Sequence, residues 1–336
     1  MEESRGRLFE HTQFQKGMNG YRLSMKKTYL RAVMKKFIFR LFLFLMPPAL
    51  LLGAAEIFLR SQPNSYAVKQ AAMERMAPRL ETLILGASHT YMGVNPACLG
   101  TCALNMAGVS QTIDVDLNML RSYLPQMPKL KTVITNLDNA IFFDAPLPLG
   151  GESYRCTYYN LYMRMERIDR WPRKAFEVAD WNGASERMKQ ILFKENFAVC
   201  DSLGWYSEYK VELRDPDAMS DETARRRNDN HTCRDWNNPV RNWETFKQLA
   251  ALCRENNIRL IVLQTPVSEQ YRKYIPQRQK EMVTQTLEKC RKMDGVVVAD
   301  YSADKRFTDG DFYNTDHLSD KGAVKFSKIL STELGL

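Results

Sequence analysis

A doubly wound α/β domain with a parallel sheet, preceded by one amino-terminal apolar helix, is the fold class this sequence predicts. Three observations lead there. Short β-branched runs recur at 80–90, 129–139, 258–266 and 295–302, helical periods lie between them, and residues 37–60 are apolar almost throughout. The 336 residues are enough for one large domain or two small ones. An apolar share of 44% with 26% charged residues is ordinary globular usage, which excludes wholly disordered and collagen-like chains.

The elements follow in chain order. Residues 1–36 hold nine Lys and Arg against three acids, and Arg40 adds one more, so this arm carries seven of the nine net positive charges. The remainder is nearly neutral, which speaks against a nucleic-acid face and for orientation across a membrane. Residues 37–60 contain an uncharged stretch from Leu41 to Ala55, close to the roughly 20 apolar residues a span needs. Pro47-Pro48 and an all-round apolar surface argue against a buried core helix. A cleaved signal peptide is the nearer rival, with small residues at Gly53–Ala55 and a second start at Met25. In either case positive charge kept inside exports the rest of the chain; the uncleaved anchor predicts a single-pass protein of the cytoplasmic or inner membrane with its domain outside the cytoplasm. Seven cysteines then face an oxidising compartment, with Cys98 and Cys102 near enough to bridge a short loop; no paired C-x-x-C spacing suggests a metal site.

Residues 61–80 read as a polar linker, helical around Ala67 to Met76, and 81–336 as the α/β domain. Each of the four short runs fits a strand covered on both faces. Helical periods are expected at 111–124, 242–255, 277–293 and 320–334. Strand–helix alternation implies right-handed crossovers and a flavodoxin-like sheet, whose site lies at the carboxyl ends of the strands. Residues 140–240, rich in Tyr, Trp and Arg, interrupt the rhythm as an insertion. It reads as a lid over a sugar-like or membrane-linked substrate, or as a helical excursion with its own small core.

Two segments can carry chemistry. In GASHTYMGVNP, Ser88 follows the first strand by a Gly-Ala step, where backbone N–H groups can stabilise an anion; the plain alternative is a tight turn with a serine cap. In DGDFYNTDHLSDKGAVKF, His317 precedes the last helix between acids Asp311 and Asp316. A lone histidine is usually structural. The topology, however, returns this loop to the strand ends, so Ser88 and His317 weigh more together than apart. His89 beside Ser88 points elsewhere at a strand exit and is at most a substrate contact.

These residues resemble the SGNH/GDSL hydrolase superfamily: Gly-small-Ser after the first strand, Asn105-x-x-Gly108 next, an Asn after the TVIT strand, and an acid-His-Leu before a Gly-Ala-containing helix. More narrowly they resemble its membrane-anchored exported branch, related to alginate O-acetyltransferases and the D-alanyl transfer protein of teichoic acid synthesis. The likeness covers roughly 80–140 and 240–336. It implies Ser88 as nucleophile, His317 as base, and an oxyanion hole from the N–H groups of Ser88 and Gly108 with an amide from Asn139, or else from Asn136. The family pattern places Asp three residues before the histidine, where this chain has Asn314. Asp316 or, after it, Asp311 then supplies the carboxylate, or a Ser-His dyad operates, or the site is degenerate. The activity implied is hydrolysis or transfer of acyl groups, acetyl above all, on cell-envelope or extracellular glycans. It needs no cofactor or metal, and its partners are the membrane and an acyl-donating membrane protein. The alternative is a non-catalytic protein of the same fold that binds glycan or a partner.

Overall fold

A computed structural model describes residues 2–166, 168, 176–193 and 199–336. It divides into a unit ending at Phe58 and a unit of Leu59–Leu336. Helix α1 (Glu2–Ser61) forms the first up to Phe58, with Pro47 and Pro48 in its interior. Its stretch Tyr29–Ser61, 33 residues, is long and apolar enough to cross a membrane, and the predicted 37–60 lies inside it.

The second unit begins with α2 (Ser65–Met76), capped by Asn64, whose side chain accepts from the Ala67 N–H. Ala72, Met73 and Met76 on this helix are buried in the main core. Residues 65–76, expected as part of a linker, are therefore the first helix of the domain: their apolar spacing finds a partner surface that the polar composition of 61–80 conceals.

Five strands follow: β1 (Thr82–Ile84), β2 (Ala103–Asn105), β3 (Thr132–Asn136), β4 (Arg259–Gln264) and β5 (Val296–Asp300). All pairs are parallel, in the order β2-β1-β3-β4-β5, which is the flavodoxin-like arrangement. Four strands match the predicted runs. β2 is three residues, Ala-Leu-Asn, with no β-branched residue, so nothing in its composition announces a strand.

The strands alternate between two cores. Leu83, Leu85, Val133, Leu260 and Val262 face one, and Ile84, Ile134, Ile261 and Leu263 the other. Both faces are dry, as parallel sheets require. The helices are α3 (Ser88–Gly93), α4 (Ile113–Tyr123), α5 (Arg155–Tyr162), α6 (Trp181–Phe193), α7 (Asp221–Asn230), α8 (Asn238–Glu255), α9 (Glu269–Tyr274), α10 (Gln277–Arg291) and α11 (Asp320–Leu334). The insertion at 140–240 supplies α5, α6 and α7. Its Cys156, Tyr159 and Met163 enter the main core rather than building a separate one. Cys98 and Cys102 form no bridge, and no disulfide joins the described residues.

Candidate active site

The switch point of this sheet lies between β1 and β3, the central neighbours from which the chain departs in opposite directions, and open α/β sheets bind ligands outside the carboxyl ends there. Gly86 turns the chain out of β1 with a φ of +105°. A Cβ at Gly86 would stand 2.1 Å from the Asn136 Oδ1, so both the backbone and the close approach demand glycine. Asp116 holds this turn from below: its carboxylate accepts from the Gly86 N–H at 3.1 Å, the Gln111 amide at 2.6 Å and the Thr135 hydroxyl at 2.6 Å. Ser88 then opens α3, and neither its N–H nor that of His89 has a hydrogen-bond acceptor among the described residues. Helix heads leave such donors free.

His317 reaches the same point from the far end of the chain. Its loop is drawn tight by a bridge between Phe312 and Leu318 and by the Tyr313 N–H donating to the His317 carbonyl at 2.9 Å. Ser319 caps α11 immediately behind. The outcome is a 2.9 Å contact between His317 Nε2 and Ser88 Oγ across 229 positions of sequence.

The other ring nitrogen decides the tautomer. His317 Nδ1 lies 3.2 Å from Asn314 Oδ1, 3.3 Å from Asp316 Oδ1 and 3.2 Å from an Arg227 nitrogen. Asn314 Oδ1 also accepts the N–H groups of Asp316 and His317, at 3.2 and 2.9 Å, which fixes that atom as the amide oxygen. With Oγ–H donating to Nε2, Nδ1 carries the hydrogen, and the two oxygens can accept it. Asn314 therefore holds the tautomer that leaves Nε2 free as a base.

Asp316 is wholly buried and grips Arg227 through both oxygens, at 2.7 and 2.8 Å. Burial pushes its pKa up, but His317, His89 and Arg227 around it overrule burial and hold the carboxylate well below its ordinary value. His89 stands on the opposite side, its Nδ1 2.5 Å from Asp138 Oδ2 and its Nε2 3.4 Å from Asp316 Oδ2. Burial disfavours charge on His89, yet Asp138 and then Asp316 lift it to about 10. It is an imidazolium at neutral pH. Asp138 in turn falls below its ordinary value: burial would raise it, and His89 outweighs burial. For His317 burial wins over the attraction of Asp316, and its pKa drops to about 4. His231, 2.7 Å from the Tyr271 hydroxyl, is likewise driven by burial to about 4. Two carboxylates thus face one guanidinium and one imidazolium, and the buried cluster is charge-balanced.

The remaining expected residues sit as follows. Asn136 Oδ1 accepts from the Ala87 N–H at 2.9 Å, and its amide donates to Asp138 at 2.7 Å, so Asn136, the reserve choice, is the one beside Ser88. The Asn139 side chain makes no such contact; its Oδ1 is buried and has no partner among the described residues, and its carbonyl accepts from Gln279 at 3.3 Å. The Gly108 N–H, expected to face an oxyanion, already donates to the Gly86 carbonyl at 3.0 Å. Asp311 is bound to Lys325 and to the Thr308 N–H, away from His317. Arg227, Asp138 and His231 were not singled out in the sequence. Asp138 had a visible signal, two residues past Asn136 at a strand exit; Arg227 sits in the run Arg225-Arg226-Arg227, which reads as solvated charge.

His89, Asp316 and His317 present three ligand atoms within 4.8 Å of one another. Both nitrogens of His89 face carboxylates, and Arg227 covers both Asp316 oxygens. A cation there would have to displace a guanidinium and strip a proton, so these residues as arranged do not fit a metal. What they can do is remove a proton from a serine hydroxyl and hold the resulting imidazolium near a carboxylate.

No family model matches the chain, and no curated protein matches it. A solved structure from Streptococcus pneumonia, provisionally described as a platelet activating factor, is similar over 87% of this chain and 98% of its own, at 10% identity and a TM-score of 0.39.

Proposed function

We propose that this chain is a serine esterase or O-acyltransferase, exported and held by its amino-terminal helix, acting on acyl esters of cell-envelope or extracellular glycans. The observation that supports it is the 2.9 Å contact between His317 Nε2 and Ser88 Oγ, with Asn314 Oδ1 placed to accept from Nδ1–H. His317 Nε2 takes the hydroxyl proton as Oγ attacks the acyl carbonyl carbon. The tetrahedral oxygen gains charge beside the Ser88 and His89 N–H groups at the head of α3, where one donor is worth about 3 kcal/mol of barrier. The intermediate collapses to an acyl-Ser88 ester as the imidazolium returns its proton to the leaving sugar oxygen. Water or a second sugar hydroxyl, deprotonated by the same imidazole, then releases or accepts the acyl group. Asn314 and Asp316 accept from Nδ1–H throughout, and Asp316 supplies the negative charge that the imidazolium requires.

A purely binding protein of this fold has no need of a hydroxyl, an imidazole and a buried carboxylate in register. The test is Ser88→Ala in the full chain. Turnover of p-nitrophenyl acetate should fall by at least ~10³-fold and fluorophosphonate labelling should vanish. Labelling that persists in this variant overturns the assignment.

A further inference from the structure

Beside the site, a cleft of about 300 Å³ is used by none of the steps above. An unbroken series of rings leads into it. Tyr209 stands edge-on to His317 at 5.6 Å, Tyr206 edge-on to Tyr209 at 5.4 Å, and Tyr91 tilts against Tyr206 at 5.5 Å. The series ends where the Lys69 ammonium lies 3.7 Å from the centre of the Tyr91 ring. All four residues line the cleft.

Lys69 is the anomaly. It is 4% exposed, and its ammonium, with three hydrogens to donate, gives one to the Ala107 carbonyl. Burial pulls its pKa down to about 8, against the pull of Cys200 and Asp201, neither of which forms an ion pair with it. A charge taken out of water without a counter-ion is costly, and such groups are normally paired. The other charged residues lining the cleft, Arg155 and Arg187, are also cationic, and each has its own acid, Glu152 and Glu177. Among the described residues no carboxylate lines this space. Tyr91 is buried beneath Lys69, and Tyr209 has one face stacked on Tyr313 at 4.0 Å; the half-buried Tyr206 and Tyr209 keep flat, partly apolar surface of the kind that packs on sugar rings at little cost in conformational freedom.

We propose that this cleft is a substrate subsite for a sugar bearing an anionic group, carboxylate or phosphate, with the Tyr206 and Tyr209 rings on the sugar and the Lys69 ammonium on the anion. It rests on the reading of Ser88 and His317 as the acyl-transfer centre and adds to it a requirement for charge on the substrate. The ester is presented to Ser88 while the anion is held at the far end of the ring series, so the same contact that binds the substrate also orients it. A strut that merely pins Ala107 is the competing role for Lys69, and it makes no distinction between charged and neutral ligands.

The experiment measures binding to the full chain in detergent micelles, carrying Ser88→Ala so that nothing is consumed. Calorimetric titration compares glucose, glucuronate, glucose 6-phosphate and inorganic phosphate at one low ionic strength. At least one anionic sugar should bind tenfold or more tightly than glucose and than inorganic phosphate; which of the two does so identifies the anion. Lys69→Met should collapse the preference to about onefold, and Lys69→Arg should restore most of it. Equal binding of glucose and both anionic sugars, no binding of any sugar, inorganic phosphate matching the better sugar, or a preference that survives Lys69→Met would each overturn the proposal. Failure of the wild-type chain to turn over p-nitrophenyl acetate would sink the acyl-transfer reading instead, and the two failures are read in separate assays.

Discussion

His317 and His89 lie 4.9 Å apart, ring centre to ring centre, and both are almost fully buried. One is neutral at pH 7, with a pKa near 4, and the other is protonated, with a pKa near 10. Burial lowers both, so the dielectric does not separate them. The partners do. His89 has carboxylates on both nitrogens, whereas His317 has a hydroxyl on one and, on the other, an amide and a carboxylate already committed to Arg227. A single pocket thus holds one imidazole as a fixed cation and the other neutral by the allocation of two acids.

The largest expected effect on this comparison comes from Asp138→Asn, which removes the carboxylate closest to His89. Breaking a buried charge pair from one side costs about 3 kcal/mol or more. The sign with pH follows from the direction of each shift. His89 is raised, so its stabilisation is complete below its unfolded value of 6.5 and is lost as pH rises through about 10. Asp138 is lowered, so its share is present above its unfolded value of 3.8 and is lost on acidifying below that. Urea unfolding should therefore show the greatest loss for Asp138→Asn near pH 5 to 6 and little loss at pH 10.5. Asp311→Asn, on a partly exposed pair with Lys325, should cost under ~1 kcal/mol at any pH. Equal costs for the two variants would break the comparison.

A second consequence concerns the base. Because His317 stays neutral down to about 4, the acid limb of kcat/KM for p-nitrophenyl acetate should fall near pH 4 rather than 6.5. His317 also makes folding acid-sensitive: the unfolded chain takes up this proton from pH 6.5 downward and the folded chain does not, so stability declines across that window. Arg227 opposes charge on His317, and Arg227→Met should move the limb upward, towards 6.5. A wild-type limb already at 6.5 would mean that the two histidines do not differ in the way described.

How much of this was legible beforehand depends on the type of signal. Ser88 and His317 carry theirs in local grammar, a Gly-Ala-Ser exit from a β-branched run and an acid-flanked histidine before a capped helix, and the parallel topology supplies the meeting point. Helix α11 occupies the predicted 320–334 without change. Choosing between Asn136 and Asn139 was not possible from spacing, because it depends on where β3 ends: Asn136 is the last strand residue and points at Gly86, while Asn139 has already turned away. Gly108 was misplaced for a related reason, since its N–H is consumed by the Gly86 carbonyl once β2, invisible in composition, pairs with β1. Arg227 was out of reach altogether. It belongs to a helix of the insertion, and only the tertiary fold shows that one of three consecutive arginines points inward to a carboxylate.

The smallest effect, and the sharpest test of how the acids are allocated, is Asn314→Asp. The resemblance to SGNH hydrolases implies an aspartate at this position, so the substitution places a carboxylate 3.2 Å from His317 Nδ1 in place of the amide oxygen. Taken alone this should raise the His317 pKa and stabilise the imidazolium. The gain is offset, because the new charge is buried beside Asp316, whose Oδ1 already lies 3.3 Å from the same nitrogen, and like charges in one site raise each other's pKa. The expected result is an acid limb about one pH unit higher with kcat changed by less than about tenfold, since Asp316 already provides most of the stabilisation that a triad carboxylate gives. The measurement is the pH profile of wild type against variant on the same ester. A gain in kcat towards ~10⁴, the size of the carboxylate effect in serine proteases, would show that Asp316 answers only to Arg227 and that the native pair works as an unsupported dyad. In that case the neutrality of His317 would reflect the lack of a working acid rather than the division of two acids between two imidazoles.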